Sequence, residues 1–351
     1  MDEFQPLQIL HQFGVSGPGI RLERLTQGLI NDTFRVHNPE GDALVLQRIN
    51  RSVFPDPESL MDNLERVLPA LKGAGYRSLE LLKYSEERRF LIDSEGSLWR
   101  IFLYIPHSKS YENPANPEMA REAGRIVATF HRLVSEISPD DLHTTLPGFH
   151  DIEKRYAQLQ TSLQEADADR LTEADSLLKQ AESLYAFCRQ IPFANLPLRV
   201  CHNDTKLSNI LFDTRTGKAL CLIDLDTLMP GNLLFDFGDT ARGMLFPETN
   251  SGIIPAKGKA DLQLFENYLK GWKEGGLEMQ PFELQWLCHG VVLMPALHGI
   301  RALSDYLSGD RYYKVAYPKQ NRDRAERLLG TADSARRTLD QMQQRVQNLL
   351  T

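Results

Sequence analysis

Residues 201–230 read CHNDTKLSNILFDTRTGKALCLIDLDTLMP, and this stretch decides the fold. Ile210-Leu211-Phe212 and Leu220-Cys221-Leu222-Ile223 are short apolar runs, and the turn formers Asp213 to Gly217 lie between them, so the segment predicts a β-hairpin. A hairpin folds about its turn, and antiparallel pairing returns Asp224 beside Asn209. Asp204 stands five positions before Asn209, on the loop leading into the first strand. Three oxygen-bearing side chains thereby converge at one end of one hairpin. Single acids and amides are ordinary in turns, which favour Asp and Asn; a spaced acid and amide joined to a hairpin and a second acid are not.

Those residue types suit a divalent cation and phosphoryl transfer. Magnesium prefers hard oxygen ligands and takes one or two from the protein, leaving the rest to water and nucleotide phosphates. Asn209 and Asp224 are the candidate magnesium ligands, and Asp204 is placed to orient an acceptor hydroxyl and take its proton. His202 opens the pattern H-x-D-x-x-x-x-N and is expected to brace the loop rather than react.

On these motifs the chain resembles the aminoglycoside phosphotransferase and choline kinase superfamily, whose members have a protein-kinase-like fold and phosphorylate small molecules. The family's catalytic-loop pattern falls on His202, Asp204 and Asn209, and its metal-binding acid on Asp224. Within that superfamily it looks most like the N-acetylhexosamine 1-kinases, through QGLINDTFRV (27–36), LVLQRIN (44–50), CHNDTKLSNILFD (201–213), LIDLDTLMPG (222–231) and IRALSDYLSGDRYY (300–313). The resemblance implies an α+β, two-lobed fold: a small β-rich lobe (1–103) binding ATP, and a larger, mostly helical lobe (104–351) holding the catalytic and substrate groups. It implies Mg2+-dependent transfer of the γ-phosphoryl group of ATP to the anomeric hydroxyl of an N-acetylhexosamine. Other acceptors known in the superfamily need other pockets, an acidic rim for an aminoglycoside and an aromatic cage for a choline-like alcohol. An amino-acid hydroxyl is a further alternative. A pseudokinase that binds nucleotide without turnover has no chemical need for Asp204, Asn209 and Asp224 together.

Asp236-Phe237-Gly238 spells the DFG of protein kinases, but it lies 27 residues beyond Asn209, too far for the hairpin geometry. The metal is therefore assigned to Asp224. The superfamily's structural acid matches LFDFGDTAR (234–242), so Asp236 is expected to anchor the loop through hydrogen bonds. Asp226 fits two roles, a second magnesium ligand or an acceptor of backbone hydrogen bonds.

The 351 residues are 42% hydrophobic and 25% charged, a globular composition with length enough for two lobes. A net charge of −7 gives no support to nucleic-acid or membrane-surface binding, which leaves a small molecule as the expected partner. The four cysteines (Cys188, Cys201, Cys221, Cys288) form no C-x-x-C pair and no zinc-ligand spacing, so Cys201 and Cys221 are expected as small core residues. No signal peptide opens the chain and no apolar run approaches 18 residues, so a cytoplasmic protein is expected.

Upstream, Ile20–Leu25, Thr33–Val36 and Ala43–Ile49 read as strands, with Gln27–Asp32 and Asn38–Gly41 between them. The first connection has neither a Walker A nor a G-x-G-x-x-G sequence, so alone it reads more readily as an ordinary hairpin than as a phosphate loop. The family pattern places Gly28, Asn31 and Thr33 at phosphate-loop positions. The third strand should carry a cation for the nucleotide phosphates. It offers Gln47 and Arg48, of which strand alternation lets one face the cleft, and charge favours Arg48. On the helix from Pro57 to Leu71, Glu65 and Asn63 compete as its partner. A second hairpin, Phe90–Ile92 and Leu98–Leu103, runs into Tyr104-Ile105-Pro106, where the hinge of kinase-like folds hydrogen-bonds adenine through its backbone.

Residues 116–195 read as helical, with apolar stripes at 123–134 and 171–185 and a polar break at 164–170, which predicts two antiparallel helices. His131 lies beside the first stripe as a core histidine. The C-terminal third reads as helical, with a break at Pro295 and one final helix through Leu329–Leu349. Between them Arg301, Asp305, Tyr306, Asp310, Arg311, Tyr312, Tyr313 and Tyr317 cluster. Aromatic faces pack on sugar C–H surfaces, while Arg and Asp read hydroxyls and an acetamido carbonyl. Arg301, Asp305 and Tyr312 are the substrate candidates; a solvated helix end with a Tyr-rich turn has the same composition.

Overall fold

A computed structural model describes residues 4–25, 30–39, 41, 43–73, 75–86, 88–247, 260–313 and 315–351. The chain opens with helix α1 (Phe4–Gln12) and strands β1 (Arg21–Leu25), β2 (Asp32–His37) and β3 (Leu44–Arg48). Helix α2 (Pro57–Val67) separates these from β4 (Phe90–Ile92) and β5 (Leu98–Leu103). The five strands form one antiparallel sheet in the order β1-β2-β3-β5-β4, and both hairpins lie where their turn residues predict. Alternation divides the sheet into two faces. Phe34, Val36, Leu44, Leu46, Trp99 and Ile101 pack with Ile9, Leu10 and Phe13 as a core of their own. Leu98 and Phe102 point the other way and join the large core that continues through the rest of the molecule. On that second face Thr33, Gln47 and Arg100 stand in one cross-strand row.

Asp56 caps α2 by accepting the Ser59 N–H, and Pro57 occupies the first turn, where its missing N–H costs nothing. The helix ends at Val67, short of the expected Leu71: Leu68 keeps helical backbone and donates to the Leu64 carbonyl at 2.9 Å, but Pro69 has no N–H to carry the ladder further.

The remainder is mostly helical. It runs through β6 (Ser108–Lys109), α3 (Pro117–Leu133), α4 (Ile152–Glu165), α5 (Ala168–Cys188), β7 (Leu198–Cys201), β8 (Ile210–Asp213), β9 (Ala219–Leu222) and β10 (Met229–Asn232). Helices α6 (Leu233–Leu245), α7 (Leu262–Gly275), α8 (Pro281–Trp286), α9 (His289–Leu307), α10 (Gln320–Arg337) and α11 (Leu339–Leu350) follow. Residues 116–195 thus carry three helices rather than two, because Pro139, Pro147 and Gly148 interrupt the pattern after Leu133. The first apolar stripe packs α3 on α7 instead of pairing it with α5. That crossing is tight: a Cβ on Gly271 would lie 1.7 Å from the Arg121 carbonyl oxygen.

Two more expectations are corrected. Pro295 lies inside α9 and does not break it. An interior proline costs a helix about 3 kcal/mol, and complete burial of Val291, Val292, Leu293, Met294, Ala296 and Ile300 around it offsets that cost. The final helix is two helices, α10 and α11, with Thr338 between them.

The hairpin of the opening stretch forms, with Ile210 opposite Leu222, Leu211 opposite Cys221 and a register shift between Leu211 and Phe212, one residue from the pairing that would set Asp224 directly opposite Asn209. Beyond Leu222 the Ile223 N–H donates to the Asn209 carbonyl at 2.8 Å, which brings Asp224 alongside Asn209. At the other end Asp213 caps the turn through the N–H groups of Arg215 and Thr216 (2.8 and 2.9 Å). That end is tied to the connection after β5: Ser108 pairs with Asp213, and the Thr214 N–H donates to the His107 carbonyl at 2.8 Å. All four cysteines are free and buried. No helix among the described residues is long and apolar enough to cross a membrane.

Candidate active site

The loop from His202 to Asn209 is held from beneath by Asp236, in the first turn of α6. The Asp236 carboxylate is fully buried and accepts the N–H groups of His202 (2.8 Å) and Asn203 (2.7 Å), with His131 Nε2 at 3.0 Å. Burial alone would raise its pKa; His131 beside it and the His202 N–H that it accepts outweigh that and hold it below the usual carboxylate value. The Thr205 hydroxyl adds a bond to the Asp236 carbonyl at 2.6 Å. Asp236 therefore has the loop-anchoring place expected of it.

Asn203 and Asp224 both adopt left-handed backbone, with φ of 65° and 61°. Such strain costs about 1–3 kcal/mol and persists where the surroundings over-determine it. At Asn203 the side-chain amide donates to the carbonyls of Cys201, Thr227 and Met229. Gly231 makes that possible, since a Cβ there would lie 2.7 Å from Asn203 Oδ1. His202 bridges the loop to the hairpin: Nδ1 accepts the Asp204 N–H at 3.2 Å, and Nε2 donates to the Ile223 carbonyl at 2.9 Å. The predicted brace is thus a specific pair of bonds.

On this scaffold Asp204, Lys206, Asn209 and Asp224 come together. Asp204 Oδ2 receives Lys206 Nζ and Asn209 Nδ2, each at 2.8 Å, and Asn209 Nδ2 also bonds the Asp204 carbonyl. The Asn209 amide oxygen is then the atom left for a cation. Asp224 is exposed to the cleft yet ringed by protein at its floor. Its pKa is pushed up to about 6, first by those surroundings and then by the charges of Asp226 and Asp204. Three acids crowded around hard oxygen donors fit a divalent cation, which would relieve their repulsion. Lys206 escaped the spacing argument, although it stands two residues after Asp204. Burial pulls its pKa down, but the charges of Asp204 and Asp224 raise it well above the ordinary lysine value, so the ammonium stays charged.

The opposite wall of the cleft corrects the expectation for Arg48. Alternation puts Arg48 on the α1 side of the sheet, over the Trp99 ring (5.8 Å) and paired with Asp32 at 2.7 Å. Gln47 takes the cleft side. Its Oε1 accepts Arg100 Nε and Nη2 (3.1 and 2.8 Å), and its Nε2 donates to the Thr33 hydroxyl at 3.3 Å. Arg100 in turn pairs with Asp226 at 2.5 Å, both fully enclosed, and Asn31 Nδ2 reaches the other Asp226 oxygen at 2.5 Å. Among the described residues Asp226 is thus gripped by side chains of the β-rich part and not by backbone N–H groups. Gly28 falls outside the described residues. Asn63 is buried and bonds the carbonyls of His143 and Leu228, while Glu65 is half-buried with its pKa raised by that burial, so neither partners Arg48.

At the junction after β5 the Tyr104 N–H donates to the Ala43 carbonyl at 2.9 Å, and the Tyr104 ring stacks under Arg35 at 4.2 Å. Ile105 is buried, and its carbonyl accepts the Ser108 hydroxyl at 2.6 Å. The Tyr104 N–H and the Ile105 carbonyl are therefore both already engaged within the protein.

Of the substrate candidates, Arg301 on α9 lies over the rings of Tyr312 (4.4 Å) and Tyr313 (5.5 Å). Asp305 differs from its expected role. Its carboxylate accepts the N–H groups of Tyr312 (2.7 Å) and Tyr313 (2.9 Å) and the Asn321 amide (2.9 Å), so it positions the tyrosine turn instead of reaching a ligand. Sequence gave no sign of the histidines between Arg301 and the catalytic loop. His150 Nε2 donates to the Asn203 carbonyl at 2.9 Å, and the His298 ring lies 6.4 Å from that of His150. Burial, helped by the charges of Arg242 and Arg301 and opposed by that of Asp204, keeps His298 neutral with its pKa well below the usual value.

A kinase-like cleft, with a carboxylate, a charged lysine and a carboxamide–carboxylate pair at the end of one hairpin, fits a phosphoryl-transfer enzyme. Residues 21–277 match the model of the phosphotransferase enzyme family, and the chain belongs to that family. It is a phosphotransferase acting on a hydroxyl group. The fold is also that of several solved kinases. A microcompartment-associated aminopropanol kinase superposes with a TM-score of 0.69 at 19% identity, over 98% of this chain and 100% of the other. An aminoglycoside phosphotransferase from Alicyclobacillus acidocaldarius gives 0.63 at 16% identity over 98% and 97%. An amicoumacin kinase solved with AMP-PNP, Ca2+ and its substrate gives 0.62 at 14% identity over 94% and 93%.

Proposed function

We propose that this enzyme transfers the γ-phosphoryl group of ATP, with Mg2+, to the anomeric hydroxyl of an N-acetylhexosamine, giving a sugar 1-phosphate. In this reading residues 1–103 hold the nucleotide and 104–351 hold the catalytic and acceptor groups. Asn209 Oδ1 and the Asp224 carboxylate would hold the cation, which would supply positive charge to neutralise that of the nucleotide phosphates. Because the described contacts of Asp204 fall on Oδ2, its Oδ1 orients the acceptor hydroxyl and takes the proton. Lys206, charged and beside that carboxylate, faces the charge of the phosphoryl group in flight.

The observation that carries the acceptor reading is the Arg301 face. A guanidinium lying over Tyr312 and Tyr313 offers donors for an acetamido carbonyl next to an aromatic surface for sugar C–H groups. Arg155 and Arg324 stand in the same cluster, and so concentrated a positive charge disfavours polycationic acceptors of the aminoglycoside kind. The test is an ATP-consumption assay over N-acetylglucosamine, N-acetylgalactosamine, glucose, galactose, their 1-O-methyl glycosides, choline, aminopropanol and kanamycin. Acetamido sugars should be preferred over the plain hexoses by roughly 10²-fold in kcat/KM, since buried polar groups left unpaired penalise the simpler sugar. The methyl glycosides should be inert. Arg301→Ala should raise the KM for sugar far more than that for ATP. Phosphorus NMR showing phosphate on C6, or turnover of choline or kanamycin with no amino sugar accepted, rejects the reading.

A further inference from the structure

A kinase cleft needs a cation on its nucleotide-binding wall, supplied from the third strand in the protein-kinase arrangement. Here the cleft-facing residue of β3 is the neutral Gln47, and Arg48 lies on the far face of the sheet. The row does contain a cation, one strand further on. Arg100 is directly opposite Gln47 in the register, so its guanidinium emerges on the face that Gln47 occupies. Gln47 Oε1 accepts two of its N–H groups, and Met61 of α2 lies against a third nitrogen (Sδ at 3.9 Å). Among the described residues its one carboxylate partner is Asp226, two residues from the candidate metal ligand Asp224, and Asp226 is also held by Asn31 from the connection before β2.

We propose that Arg100 is the phosphate-binding cation of this enzyme, moved from β3 to β5, and that Asp226 is its counter-ion only while no nucleotide is bound. The inference rests on the ATP reading above. An enclosed Arg–Asp pair brings little net stability over an apolar pair of the same volume, because desolvation consumes the attraction. This pair has instead the makings of an exchange. A nucleotide phosphate offers Arg100 the bidentate oxygens its guanidinium suits, and a cation at Asp224 offers Asp226 a positive neighbour. The pair separates at little cost only when both halves are re-partnered together, which couples nucleotide and cation binding.

Calorimetric titration of adenosine, ADP and ATP in Mg2+ tests this on three proteins: wild type, Asp226→Asn, and Arg100→Met/Asp226→Asn. The double variant removes both charges, so no lone buried charge burdens its fold. It should bind ADP and ATP about 10-fold or more weaker than Asp226→Asn, the scale of one charge-assisted hydrogen bond, while adenosine affinity stays within about twofold. Equal ADP affinity in Asp226→Asn and the double variant overturns the proposal, as does an equal loss for adenosine. Should the double variant fail to fold, Arg100→Lys alone serves: ADP affinity should fall several-fold with adenosine unchanged, and an unaltered ADP affinity overturns it. Wild type that binds no adenine nucleotide sinks the functional reading itself, a failure distinct from the other two.

Discussion

Asp236→Asn tests whether the catalytic loop hangs on hydrogen-bond acceptance and not on shape. The two side chains are nearly isosteric, but the carboxylate accepts the N–H groups of both His202 and Asn203 and lies 3.0 Å from His131 Nε2. An amide has one accepting oxygen, and its NH2 must confront a second donor. One or two fully buried donors are then left unsatisfied, at about 1–3 kcal/mol each, and the close contact of the carboxylate with His131 is lost as well. The sum is about 3–5 kcal/mol. With an unfolding entropy near 2.1 cal/mol/K per residue, a chain of 351 residues should lose about 4–7 °C in Tm. Because the Asp236 carboxyl is held below its ordinary value, its stabilisation is complete above that value and fades as pH falls through the native pKa. The gap between wild type and variant, read by circular dichroism melts from pH 7 downward, should therefore narrow below about pH 4. An Asn variant melting within about 1 °C of wild type at pH 7 refutes the anchoring argument.

Asp204→Asn should lower kcat by about 10²-fold or more while leaving nucleotide affinity unchanged, because the loss is of proton transfer and orientation; wild-type turnover would remove Asp204 from the mechanism. Asp224 behaves in the opposite sense to Asp236. Its native pKa is raised from 3.8 to about 6, so the metal-free protein should lose stability as pH rises across that window. Asp224→Asn should accordingly melt above wild type at pH 7 in chelator, match it below pH 3.8, and lose Mg2+-dependent turnover; a variant that melts lower at pH 7 contradicts the crowding of acids. The four thiols are buried, and burial pushes Cys188 and Cys221 up to about 12. All four should react with a disulfide reagent only after denaturation, and rapid labelling of any one in the native protein counts against its placement in the core.

The sequence was most legible where the determinants are local. Asp213 to Gly217 specify a turn by themselves, so the β8–β9 register and the meeting of Asn209 with Asp224 follow from a few adjacent residues. Asp236 was readable because distance along the chain excluded the alternative. Arg100 was not, because it sits inside LWRIFL (98–103), where one charge in an apolar run gives no hint that its partner is 126 residues away. Choosing between Gln47 and Arg48 failed on charge because register decided, and register depends on which face packs on α1. Asp305 was legible as a site-region residue but not as the brace for Tyr312 and Tyr313, whose N–H groups lie seven and eight positions on. Pro295 misled because local propensity yields to the burial of a whole helix.

The hairpin that presents Asn209 and Asp224 is fastened at its far end to His107 and Ser108. It is therefore a short lever about 14 Å long over the four residues of β8, at roughly 3.4 Å per residue, with the acid and amide at one end and the junction after β5 at the other. Opening or closing at that junction must either bend the lever or move the ligand atoms with it. The exposed tip makes this mechanical linkage accessible from outside: a small fluorophore on Thr216 would sense rearrangement at the metal groups from a distance, without occupying the cleft or touching a residue that does chemistry.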